Sequence, residues 1–109
     1  MRKNSISSSI GTELDAWLNA HHQHVDTFVV VGDCTEICVF DLAMHLRLRA
    51  NAYSYPLRVI VPANCVQTYD LSVDRAKNLG IMPHDGELLH TVLLYQMAPN
   101  GIEVVAGLT

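Results

Sequence analysis

Residues 29–40, Val29-Val30-Val31-Gly32-Asp33-Cys34-Thr35-Glu36-Ile37-Cys38-Val39-Phe40, put two thiols, two carboxylates and a threonine hydroxyl on one short stretch. A β-branched run ending at a glycine reads as a buried strand, and the helical pattern that begins near Thr35 follows it after a sharp turn. In open α/β sheets ligands bind outside the carboxyl ends of the strands. Cys38 therefore falls in the opening of a helix at the edge where chemistry is done. Backbone N–H groups and the macrodipole there favour an anion, and they draw a thiol from its ordinary pKa of ~8.5 toward neutrality. The chemistry this allows is nucleophilic attack by a thiolate. Two other readings stand beside it. A free cysteine is also a small, commonly buried hydrophobe. Cys34 and Cys38 could also share a metal with His21, His22 or His24, but no second ligand pair follows, so neither a metal nor a cofactor is expected.

The elements that would position this turn alternate in kind. Leu14, Trp17, Leu18 and His21 lie on one helical face within residues 12–21, with Gly11-Thr12 as the cap and His21, His22 and His24 as its solvated end. A strand over 28–32 follows, then a helix over 36–51 whose apolar stripe is Ile37, Phe40, Met44 and Leu48. Residues 57–61 form a second strand stopped by Pro62. A short helix near 71–79 ends at Gly80, and Asp85 caps a helix over 86–97 with Leu89, Val92, Leu93 and Met97 as its stripe. Pro99-Asn100-Gly101 turns the chain into a last strand over 102–105. Buried-type strands alternating with helices predict an α/β fold with a parallel sheet and right-handed crossovers.

Composition narrows the class. The 109 residues are half apolar and 17% charged, which excludes a disordered tail. Seven Lys and Arg against eleven Asp and Glu leave a charge of −4, which argues against nucleic acid or an anionic membrane surface as partner. No apolar run approaches the ~20 residues of a membrane span, and the first residues lack the apolar stretch of a signal peptide. Three cysteines make no disulfide framework, so a reduced, cytoplasmic chain is expected.

The stretch Val31-Gly32-Asp33-Cys34-Thr35-Glu36-Ile37-Cys38-Val39 resembles the hallmark of the isochorismatase-like cysteine hydrolases, the family of nicotinamidases and N-carbamoylsarcosine amidohydrolases. The resemblance implies that Cys38 is the catalytic thiol, that the amides of Cys34 and Cys38 form the oxyanion hole, and that Asp33–Cys34 is a cis peptide. Upstream, Gly11-Thr12-Glu13-Leu14 matches a second family motif, and Lys3, nine residues before Thr12, occupies the place of the catalytic lysine. Read without the resemblance, Lys3 is a frayed terminal lysine. Downstream, Leu57 to Cys65 and Thr68-Tyr69-Asp70 look like the next strand and its loop, with Cys65 in the core. Pro83-His84-Asp85-Gly86-Glu87-Leu88-Leu89-His90 is distinctive but receives no role, and His90 reads as a packed or half-exposed histidine.

The fold implied is a three-layer α-β-α, Rossmann-like parallel sheet, truncated at its N-terminus: residues 1–109 match only the later part of one domain. The family's first strand, with the aspartate that activates the thiol, would lie ahead of Met1. Residues 28–32 are accordingly expected at a sheet edge. The activity implied for the complete domain is hydrolysis of a small carboxamide or related C–N bond, with this chain alone inactive. The alternative is a catalytically inactive relative that serves as an interaction or oligomerisation module. The partners expected are the small carboxamide and either a second copy or the missing N-terminal half. An in-frame strand ending in Asp in the DNA upstream of Met1 would separate the two.

Overall fold

The computed structural model describes residues 1–108. Its centre is strand β3 (Arg58–Pro62), flanked by β1 (Thr27–Val29) and β5 (Glu103–Val105), all parallel, in the order β1-β3-β5. Thr27 is opposite Arg58 and Ile60 is opposite Glu103. Arg58 donates from both Nε and Nη2 to the Glu103 carboxylate at 2.8 Å, a planar two-point pairing that ties β3 to β5. Helices α1 (Leu14–His21), α2 (Phe40–Ala52), α3 (Val73–Leu79) and α4 (Gly86–Met97) fill the connections. The α/β class with a parallel sheet is as the alternation predicts, and β1 occupies an edge.

Two short strands escape the sequence pattern. β2 (Gly32–Asp33) and β4 (Val66–Gln67) form a separate parallel pair just beyond the carboxyl ends of β1 and β3. Two-residue strands carry no readable periodicity, so only the tertiary structure reveals them. Pro62 also closes β3 from within the ladder, opposite Val105, rather than stopping it from outside.

The core joins Leu18, Val30, Val39, Ala43, Leu46, Val59, Val61, Val66, Leu94, Met97 and Ile102. On α2 the buried residues are Ala43, Leu46 and Ala50, continuing the line from Val39. The predicted stripe of Ile37, Phe40, Met44 and Leu48 lies one face over, where with Ile6 it lines an open cleft of about 470 Å³. Phe40 and Met44 reach the margin of the core from there, and Leu48 is 53% exposed. The two alanines explain the choice: small side chains let the helix backbone come down onto the sheet, which larger ones on the neighbouring face would hold off. In α4 the deep residues are Leu94 and Met97, while Val92 of the predicted stripe is exposed.

The ends of the helices follow local chemistry. Asp85 caps α4 by accepting from the Leu88 amide at 3.0 Å, and Ser72 caps α3 through the Arg75 amide. At α1 the N-cap is Glu13, without a side-chain cap bond, and the expected cap residue Thr12 stands one residue earlier, where it accepts from the Leu14 amide at 3.2 Å. The histidines at the end of α1 are not simply solvated. His21 stacks on Trp17 and His22 on Tyr55, with ring centroids 4.2 and 4.4 Å apart.

Candidate active site

Between β2 and α2 the chain makes a π-helical turn over Thr35–Val39, and this turn carries Cys38. Its geometry begins at Gly32, whose φ of +136° is a conformation side-chain-bearing residues rarely take. Cys34 follows in the left-handed region at φ +59°. A non-glycine residue there carries a backbone cost of about 1–2 kcal/mol, which the surrounding contacts must outweigh. The Asp33–Cys34 bond is trans, as is every peptide bond among the described residues, so the cis bond implied by the family resemblance is not present. The two positive-φ residues reverse the chain in its place.

The Cys34 carbonyl accepts from the amides of Ile37 at 3.0 Å and Val39 at 3.2 Å, but not from the Cys38 amide between them. That omission is the mark of the wider π turn, a form found often at functional sites. Cys38 itself is half-buried, as are Cys34 and Cys65.

Asp33, Cys34 and Cys38 therefore share one turn. Asp33 accepts from Gln67 Nε2 at 2.8 Å, which links β2 to β4. Lys3 belongs to a separate segment. Among the described residues its one hydrogen bond is donated to the Ile6 carbonyl at 3.0 Å. Ile6 lines the cleft that Glu36 and Ile37 also line, so the segment carrying Lys3 lies along the flank of the Cys38 turn while the ammonium stays exposed. Cys65 is not a core residue. It lines a small open cleft with Gly32, Asp33 and Gln67, and its thiol donates to Asn64 Oδ1 at 3.3 Å.

The residues missed in the sequence are those that hold the turn. Glu36 Oε1 accepts from His84 Nε2 at 2.7 Å and from Thr68 Oγ1 at 2.9 Å. Its other oxygen, Oε2, is buried without a partner. Burial pushes the Glu36 carboxyl up, yet its own backbone amide, Thr68 and His84 together outweigh burial and hold it below the ordinary value. Thr35, fully buried, shares a 2.7 Å hydrogen bond with His90 Nδ1. The unusual Pro83–His90 stretch was the available signal, since it holds both histidines, but only the fold shows what they reach.

Gly86 lets that stretch close down. A Cβ there would stand 2.4 Å from the Tyr69 carbonyl oxygen, and its amide donates to Asp70 Oδ1 at 2.9 Å. Among the described residues no group of three or more His, Cys, Asp or Glu side chains is gathered in a way that could hold a metal ion. No helix among them is long and apolar enough to cross a membrane.

A parallel sheet wrapped by helices, with a thiol on a strained turn just past the carboxyl end of an edge strand, defines the class: an α/β domain with a thiol-bearing strand-to-helix turn. Residues 1–104 match the family model described as the isochorismatase domain, and the chain belongs to that family. It is 34% identical over 118 residues to Nicotinamidase 1 of Arabidopsis thaliana, an alignment covering 99% of this chain and 48% of that protein. The chain thus spans about half the length of the curated relative it matches.

Proposed function

We propose that the chain is the thiol-bearing part of a cysteine hydrolase that, in the complete domain, cleaves a small carboxamide or a related C–N bond. The observation that supports this is the Cys38 turn itself, a π-helical turn between β2 and α2 whose capping carbonyl, on Cys34, accepts from the Ile37 and Val39 amides. The Cys38 thiolate attacks the carbonyl carbon, forming an S–C bond as the C=O electron pair moves onto oxygen. The amides of Cys34 and Cys38 receive that oxyanion, and such a donor contributes about 3 kcal/mol to the transition state. The tetrahedral species collapses, the C–N bond breaks and the amine leaves with the proton that the Cys38 thiol gave up on ionising. Water then hydrolyses the thioester, releasing the acid and restoring the thiol. Lys3 is the cation assigned to the developing charge. The exposed ammonium must exchange the Ile6 carbonyl for the reacting centre to serve it.

Acylation tests this reading, because it needs only the thiol and the oxyanion amides. An activated ester such as p-nitrophenyl acetate should acylate the chain once, at Cys38 by peptide mapping, and Cys38→Ala should abolish the adduct. Turnover of nicotinamide should be at background for these residues alone and should appear when the remainder of the domain is supplied. Acylation mapping first to Cys34 or Cys65 would overturn the assignment.

A further inference from the structure

His84 is bound on every side. Its backbone exchanges two hydrogen bonds with Leu71, at 2.7 and 2.9 Å, and its ring stacks on Tyr69 at 3.8 Å. Nδ1 lies 2.8 Å from the Tyr69 carbonyl oxygen. This fixes the ring plane and points Nε2 at Glu36 Oε1, 2.7 Å away. The Glu36 and His84 side chains are 11% and 13% exposed, so water competes little for this contact. Glu36 is two residues before Cys38 in the same π turn, and the preceding residue, Thr35, is held by His90.

We propose that His84, acting through Glu36, is a positioning residue that sets the orientation of the Cys38 turn. The proposal rests on the reading of Cys38 as the nucleophile. A π turn has a slack ring of hydrogen bonds, so a fixed anchor on its first residues decides where the thiol points. His84 and His90 grip two successive residues of the turn from a segment more than forty positions along the chain. The other charged groups near the pair are already engaged or lie along the neighbouring clefts. Asp70 accepts from Gly86 N, and Asp85 accepts from Leu88 N. Asp41 and His45 line the cleft beside Glu36, with His45 bonded to Asp15, while Glu87 sits at the start of α4. None of them replaces His84 at Oε1.

The test is the rate of iodoacetamide alkylation at each cysteine across pH 5–10, read by mass spectrometry of the folded chain. Cys65 serves as the internal reference, since it lies outside the turn. His84→Ala should slow Cys38 relative to Cys65 on the order of 10-fold and change the shape of its pH profile, because small misplacements of a reacting group cost such factors. His84→Gln, which keeps a donor at about the Nε2 position, should restore most of the rate. Glu36→Gln removes the charge while keeping the shape, and it should alter the Cys38 profile even where His84→Ala fails to fold. An unchanged Cys38-to-Cys65 ratio and profile in whichever of these variants folds would overturn the proposal. If Cys38 is not the acylated thiol in the unaltered chain, the nucleophile assignment fails instead, and the two failures are thereby told apart.

Discussion

The two apolar faces of α2 differ in what they do. One, through Ala43, Leu46 and Ala50, is pressed against the sheet, while the other, through Phe40, Met44 and Leu48, borders an open cleft that Ile37 of the preceding turn also lines. Hydrophobicity alone would rank them the other way, since the second face carries the larger side chains. The difference teaches that depth against a sheet is decided by how closely backbones can approach, and alanine permits the closest approach. The large side chains are left with the margin of the core and the cleft.

The sharpest way to break this comparison is to alter the pressed face. Leu46→Ala should destabilise the chain by about 2–5 kcal/mol, and Ala43→Leu, which adds volume where no space is left, by about 1–3 kcal/mol. Urea unfolding followed by circular dichroism reads both; a Leu46→Ala midpoint equal to that of the parent would show that the pressed face is not the core.

Glu36 gives an intermediate effect, because it borders the cleft yet is anchored by His84 and Thr68. Glu36→Gln should cost about 1.5–3 kcal/mol at neutral pH, the range for a hydrogen bond to a charged group. Its folded pKa is lowered, so its contribution is full above the ordinary carboxyl value of ~4.3 and disappears as pH falls through the lowered folded value. The variant and the parent should therefore converge in stability in acid. Melting curves between pH 2 and 8 check this, and a constant gap across that range would contradict it.

The smallest effect belongs to the cleft face. Leu48→Ser should change stability by no more than about 0.5 kcal/mol, as for an exposed site. A loss comparable to Leu46→Ala would mean that the cleft face is packed after all.

The sequence made the order of the main elements legible, because β-branched runs such as Val59-Ile60-Val61 and capping residues such as Asp85 act locally, whereas the strand expected over 28–32 ends at Val29, with Val29 and Val31 exposed. The thiol turn was legible too, as a pattern of residue types after Gly32. The face of α2 was not, since Ile37, Phe40, Met44 and Leu48 satisfy helical spacing as well as Val39, Ala43, Leu46 and Ala50 do. The geometry of the Asp33–Cys34 bond was also hidden, because two positive-φ residues reverse the chain without a cis bond. The His84–Glu36 contact joins residues far apart in the chain, and no local propensity reports such a pair.

The central place of β3 has a consequence for how the chain comes together in time. No two neighbouring strands of the main sheet are joined by a hairpin: Thr27 must find Arg58 across all of α2, and Ile60 must find Glu103 across α3 and α4. Such pairings close long loops before any contact rewards them, which slows folding relative to helical chains of this size. β1 and β3 are made before β5, so the growing chain passes through a stage in which β3 has its β1 partner but not yet its β5 partner. During that interval β3, the future centre of the sheet, is an edge itself and the part of the molecule most open to pairing with the wrong chain.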